Sequence, residues 1–150
     1  MDKVWILVAL FGLAAAGAVI GLAFFSFRGD ERSPTAGPRL TIEGGDFDLG
    51  DVPADEIVER EIAFTNSGEE PLDVSIVKVR PAPDAACGCG VESFEVRPGT
   101  VLPGHSGELV FMLRVPEGMP DMEDRMLAEL KTNDPEKPSL TISLTFRMAD

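Results

Sequence analysis

The only two cysteines of the chain stand in Ala86-Cys87-Gly88-Cys89-Gly90, and they are its most reactive groups. At this spacing they admit three chemistries. In an extended strand, residues two apart have Cα atoms about 6.6 Å from each other and side chains on one face. A disulfide needs Cβ atoms within about 3.5–4.5 Å, so an extended pair stays open as two small, semi-buried structural thiols. Gly88 and Gly90 permit the kink that would instead close a bridge. Such a bridge is strained and readily reduced, which is the property of a redox pair. Two thiolates can also hold a soft ion, copper or zinc, although a closed site takes four ligands. The structural reading asks least of the sequence, because no basic residue adjoins either cysteine to depress a thiol pKa.

Other candidate groups are sparse. The single histidine, His105, lies in Pro103-Gly104-His105-Ser106-Gly107, a turn in which a solvent-exposed side chain is expected rather than a ligand. Carboxylates abound at Glu69-Glu70, Asp121, Glu123-Asp124 and Glu129, but no spacing singles out an acid–base pair. Asp121 to Asp124, with Met119 and Met122, reads as a hydrated loop, since it lacks the alternating ladder of a calcium loop. There is no nucleotide-binding glycine loop. No catalytic residue and no cofactor are expected, and the chain reads as a non-enzyme.

Composition narrows the partners. Over 150 residues the formal net charge is −13, and nearly all of it follows Phe27. Such a surface repels phosphate backbones, so nucleic acid is excluded as a partner. The sole Trp is Trp5 and there is no Tyr, which leaves the region after Phe27 without the aromatic platforms that stack sugars, bases or proline-rich peptides.

The chain length suits one ordinary domain. Val4 to Phe27 carries no charge and, as a helix, would reach roughly 36 Å, enough to cross a bilayer. Small-residue cleavage patterns occur at Ala14-Ala15-Ala16 and Ala16-Gly17-Ala18. Cleavage there would leave a greasy terminus beginning Val19-Ile20-Gly21-Leu22, so residues 1–28 read as an uncleaved transmembrane anchor. Gly17 and Gly21 have the spacing that lets two membrane helices approach, which suits a helix-mediated homodimer. Residues 29–38, GDERSPTAGP, read as a flexible linker. Lys3 precedes the span while Arg28, Arg32 and Arg39 follow it, a bias that by itself would keep the domain in the cytoplasm.

Residues 39–150 alternate with period two. Ile62 and Phe64, then Leu72, Val74 and Ile76, then Leu109, Phe111, Leu113 and Val115, and finally Leu140, Ile142, Leu144 and Phe146 form apolar rows, with Phe64, Leu113 and Ile142 facing the core. The phase slips at Val77, which predicts a bulge. Met126 to Thr132 is apolar without clear phase and suits a strand or a short helix. Asn66-Ser67-Gly68, Arg97-Pro98-Gly99, Leu102-Pro103-Gly104 and Asn133-Asp134-Pro135 supply the turns. The expectation is an all-β fold, an immunoglobulin-like antiparallel β-sandwich of seven or eight strands preceded by one N-terminal transmembrane helix.

The ordered set Asp46-Phe47-Asp48-Leu49-Gly50, Phe64-Thr65-Asn66-Ser67-Gly68, Pro71-Leu72, Cys87-Gly88-Cys89, Pro103-Gly104-His105-Ser106-Gly107-Glu108 and Thr132-Asn133-Asp134-Pro135 resembles a bacterial family of immunoglobulin-like envelope domains. This is domain-of-unknown-function family 1573, akin to Hydin-type and sperm-protein-like sandwiches. The resemblance spans roughly Asp46 to Phe146 and implies a sandwich that is usually exported, often lipid- or helix-anchored, with no established activity. Leu49 stands where the family usually has an aromatic, Gly90 where Thr is commoner, and Arg80 to Ala86 form an unusual proline-rich approach to the cysteines. Export implied by the resemblance outweighs the charge bias, placing the domain in the periplasm or outside the cell. The chain therefore reads as a membrane-anchored binding or assembly module of the cell envelope with a protein partner. The alternative is a thiol protein using Cys87 and Cys89 for redox chemistry or for copper or zinc.

Overall fold

The computed structural model describes residues 36–119 and 121–149. The expected anchor over residues 1–28, with Gly17 and Gly21, and most of the linker lie outside the described residues. Among the described residues there is no helix, and so none long and apolar enough to cross a membrane. Pro38, at the end of the linker, is buried, and the Gly37 carbonyl accepts from the Glu69 N–H at 3.0 Å.

The alternating rows become strands as the periodicity predicts. In chain order these are β1 Leu40–Thr41, β2 Asp46–Pro53, β3 Ile57–Asn66, β4 Leu72–Pro81, β5 Val91–Arg97, β6 Thr100–Val101, β7 Ser106–Arg114, β8 Met122–Thr132 and β9 Ser139–Ala149. They form two sheets, ordered β1-β3-β7-β5 and β2-β9-β8-β4-β6. Seven strands have seven residues or more, while β1 and β6 have only two each.

Among the described residues, pairing departs from the antiparallel expectation at two places, one of them an isolated parallel bridge between Ala54 and Val115. At the other, β2 runs parallel to β9, with Phe47 opposite Leu144 and Val52 opposite Met148. After β1, beside β3 in the first sheet, the chain crosses to the edge of the second sheet, where β2 runs in the same direction as β9. The slip at Val77 is a register shift between Ile76 and Lys78, and it turns Val77 outward with Lys78. Met126 to Thr132 is strand, and β8 begins earlier, at Met122.

Phe64, Leu113 and Ile142 are all buried between the sheets, with Phe111, Leu144 and Phe146. Removing this apolar surface from water, at about 25 cal/mol per Å², is the main force joining the layers.

The registers define two ends. β1 enters at the base, where β3 ends, β7 begins and the β8–β9 turn folds over. Here Asn66 is fully buried, accepting from the N–H groups of Gly68 and Arg39 and donating to the carbonyls of Glu70 and Val101. Asp134, equally buried, accepts from Leu40 and Glu136 N–H at 2.8 Å each. These two side chains replace the ladder bonds that strands lose where they leave the sheets. The opposite end carries the β2–β3, β4–β5 and β7–β8 connections. A ten-residue strand such as β3 separates the two ends by roughly 33 Å.

Candidate functional site

The cysteines lie in the β4–β5 connection, at the end away from β1. β4 finishes at Pro81, and the Ala82 N–H still donates to the Arg125 carbonyl at 3.0 Å, extending the β4–β8 ladder by one residue. A tight turn follows, closed by Ala85 N–H on the Ala82 carbonyl at 3.0 Å. The next amides then converge on one carboxylate. Ala86 N–H donates to Asp124 Oδ1 at 2.7 Å, Cys87 N–H to the same oxygen at 3.4 Å, and Gly88 N–H to Oδ2 at 3.0 Å. Successive backbone N–H groups pointing to one place make an anion cradle, here filled by a side chain of the protein itself.

Both glycines of the motif are required by contacts. Gly88 has φ +65°, and a Cβ there would sit 2.5 Å from the Pro81 ring. Gly90 has φ +112°, and its Cβ would meet Phe146 Cζ at 2.5 Å. The first allows the loop to reverse over Pro81, and the second lets the chain pass close against the end of the core before Arg114 N–H bonds the Gly90 carbonyl at 2.7 Å.

Because Gly88 takes the backbone out of the extended form, the two Cα atoms are 5.3 Å apart and the sulfurs are joined as a disulfide. The open, extended pair that the spacing alone favours is therefore replaced by a bridge. Cys87 is exposed, while Cys89 is half-buried and packs on the core. The Cys89 N–H donates to Cys87 Sγ at 3.1 Å, and Asp124 Oδ2 lies 3.3 Å from the same sulfur.

Asp124 is the residue that sequence reasoning missed. Read as part of a hydrated loop, it is instead only 1% exposed and stands in β8 on the same face as Met126, Ala128 and Leu130. Its signal was the inward row of β8 extended one step back toward the N-terminus. Cys87, Cys89 and Asp124 together bring three ligand atoms within 4.8 Å of one another.

His105 is not brought to the cysteines. It caps the turn before β7 at the base, exposed, with Nδ1 on the Pro103 carbonyl at 3.0 Å. Asp121 is taken up by Arg147 in a two-point pair, both contacts at 2.8 Å, and the guanidinium holds its carboxyl below the usual range. Glu69, Glu70 and Glu123 are exposed, and Glu129 is half-buried on β8. Beside the disulfide loop a cleft of about 400 Å³ is lined by Gly90, Val91 and Glu92 on one side. On the other stand Asp55 and Arg114, ion-paired at 2.6 Å.

A second feature is an open flank. β5 pairs only with β7, and β4 has main-chain partners on its outer side only at Leu72, Asp73 and Val74, whose N–H donates to the Gly99 carbonyl at 2.9 Å. Between these two edges runs an apolar groove of about 280 Å³ lined by Val74, Ile76, Phe94 and Val96 among others. Phe94 and Val77 are 38% and 48% exposed beside it.

Solved structures align with parts of this backbone. A protein of unknown function from Porphyromonas gingivalis W83 aligns over 79% of this chain and 51% of its own, at 18% identity and a TM-score of 0.54. The CupB2 chaperone of Pseudomonas aeruginosa aligns over 72% of this chain and 55% of its own, at 17% identity and a TM-score of 0.48. The ASH/PapD-like domain of human CEP192 aligns over 79% of this chain and 92% of its own, at 14% identity and a TM-score of 0.44. The chain thus spans about half the length of the first two. No curated protein matches it. The profile described as "Protein of unknown function (DUF1573)" matches residues 40–145, which include both sheets and the Cys-Gly-Cys loop, and the chain belongs to that family.

Proposed function

We infer that this chain is a non-enzymatic binding or assembly module of the cell envelope, anchored in the membrane by residues 1–28 and holding its sandwich in the periplasm or outside the cell. The observation that carries the reading is the open flank. β4 and β5 leave main-chain N–H and C=O groups unpaired on either side of an apolar groove, which is the arrangement that accepts an added strand. The occupant it suits is an extended segment of a partner protein with apolar side chains at alternate positions.

The test is site-specific photo-crosslinking in intact cells, with the probe at Phe94 or, as a control, at Glu43. A discrete adduct from Phe94, lost when Val96 is changed to Asp, supports the reading, while equal labelling at both positions removes it. Protease added to spheroplasts should digest the domain; protection until the membrane is broken would place it on the cytoplasmic side.

A second reading is supported by the bridge itself. A disulfide with one exposed cysteine can be reached by an external thiolate, so the loop can take part in thiol–disulfide exchange.

A further inference from the structure

We propose that the reduced form of the Cys-Gly-Cys loop is a zinc site with Cys87, Cys89 and Asp124 as its protein ligands. The inference rests on the thiol reading only in requiring that the bridge can be reduced, and it is independent of the β4–β5 flank.

The geometry is prepared in the oxidised protein. Zn–S bonds of about 2.3 Å and Zn–O bonds of about 2.0–2.2 Å, set tetrahedrally, place ligand atoms about 3.5–3.8 Å apart. Asp124 Oδ2 already lies 3.3 Å from Cys87 Sγ, and all three ligand atoms fall within 4.8 Å. Once the S–S bond is broken, the sulfurs separate by side-chain rotation to the spacing the ion needs. The carboxylate cannot swing away, because Ala86 N–H holds Oδ1 and Gly88 N–H holds Oδ2. Each carboxylate oxygen has two lone pairs, so Oδ2 keeps one for the metal. These amides form the outer shell that orients a ligating carboxylate, and the Cys89 N–H supports negative charge on Cys87 Sγ in the same way.

The donor set selects the metal class. Two thiolates alone would suit copper(I), but a fixed carboxylate oxygen is a hard donor that copper(I) disfavours and zinc(II) accepts. Three protein ligands leave the fourth position to water or to a partner's side chain, which is an open site rather than a closed structural one. The chain's net charge of −13 adds a general attraction for cations.

The chemistry balances as follows. An external dithiol attacks with one thiolate, forming a mixed disulfide at the exposed Cys87 as the Cys87–Cys89 bond breaks and Cys89 leaves as thiolate. The second thiolate of the reductant displaces Cys87 and leaves as a disulfide, so two electrons rest on Cys87 and Cys89 and each takes a proton. Zinc binding then displaces those two protons to water and leaves two thiolates and one carboxylate on the dication.

The test uses the full chain in detergent, reduced with a thiol-free phosphine under argon, with thiols counted before zinc(II) is added against a chromophoric chelator. Cobalt(II) serves as a second probe, since its thiolate charge-transfer absorption reports sulfur ligation. The expected result is two thiols, one zinc per reduced chain, two protons released per zinc, and no stoichiometric zinc on the oxidised chain. Asp124→Asn should bind at least tenfold more weakly. Cys89→Ser, which retains every Asp124 hydrogen bond, should lose stoichiometric zinc and carries the test if Asp124→Asn disturbs the loop. A bridge that resists the reductant removes both the thiol reading and this inference. Two free thiols without stoichiometric zinc, or zinc held equally well by Asp124→Asn with its fold intact, overturns the inference alone.

Discussion

Replacing Asp124 by Ala removes the anchor that ties the disulfide loop to β8, and its cost can be worked from the contacts. Two hydrogen bonds are of good length, from Ala86 N–H at 2.7 Å and Gly88 N–H at 3.0 Å, while the Cys87 contact at 3.4 Å adds little. Hydrogen bonds to a charged group are worth about 1.5–3 kcal/mol each, so the pair could reach about 6 kcal/mol. Two effects reduce this. Ala86 is exposed, so water takes over part of its bond. Alanine also relieves the desolvation cost of a carboxylate that is 1% exposed. The expected net loss is about 2–4 kcal/mol, a large part of a typical domain stability of about 5–15 kcal/mol. The disulfide does not rescue it, because a bridge between residues two apart closes a ring within the loop and makes no tie to β8. Asp124→Asn keeps one acceptor oxygen and should lose about half as much. Tyrosine is absent and the sole Trp is Trp5, so unfolding of a chain beginning at Pro34 must be followed by far-ultraviolet circular dichroism in urea. Hydrogen exchange at Ala86 and Gly88 supplies the local readout and should accelerate in both variants. A loss below about 1 kcal/mol for Asp124→Ala, with unchanged exchange at those two amides, would refute the reasoning.

Phe64→Ala removes a ring that is 1% exposed and should cost about 3–5 kcal/mol in the same urea assay; a loss under about 1 kcal/mol would contradict its burial. Glu61 presents a pH-dependent case. Glu108 first, then desolvation and Glu59, raises its carboxyl pKa in the fold. The charged form is therefore disfavoured in the folded state, and stability falls as pH rises from the ordinary carboxyl value through the raised one. Glu61→Gln should raise the thermal midpoint at pH 7, with the gain vanishing as pH drops below about 4. A gain that is independent of pH would show that the neighbouring carboxylates are not its cause.

The sequence was most legible where the two-residue period was unbroken. The rows through Phe64 and Ile142 have one buried face and one more open face, and only one strand phase satisfies that. On β7 the row of Leu109, Phe111 and Leu113 is legible although Val110, on the other face, is buried too. β8 was harder to read because its inward row begins with Asp124 and includes the small Ala128, so two of its four core positions carry little hydrophobic signal. Alternation says nothing about strand direction, so the parallel pairing of β2 with β9 had no signature in the rows themselves. The bridge was hidden for a different reason. Whether two sulfurs two residues apart can meet depends on the left-handed turn at Gly88 and its contact with Pro81, which are tertiary facts.

Among the described residues three polar side chains are buried, Asn66, Asp124 and Asp134, and they allow the two ends to be compared. Asn66 and Asp134 stand at the base, and their side chains bond main-chain groups of Arg39, β1, the β3–β4 turn, β6 and the β8–β9 turn. Their bonding holds strand ends and turns together, as expected where ladders stop. Asp124 begins in the same way, gathering the amides of Ala86, Cys87 and Gly88, but its Oδ2 also faces Cys87 Sγ. An amide side chain like that of Asn66 would not close the loop as well, because Ala86 N–H and Gly88 N–H bond different oxygens and an amide offers one acceptor. Asp134 meets the same need at the base, its two oxygens accepting from Leu40 and Glu136 N–H. What distinguishes the disulfide end from the base is therefore the sulfur 3.3 Å from Asp124 Oδ2, and not the buried charge itself.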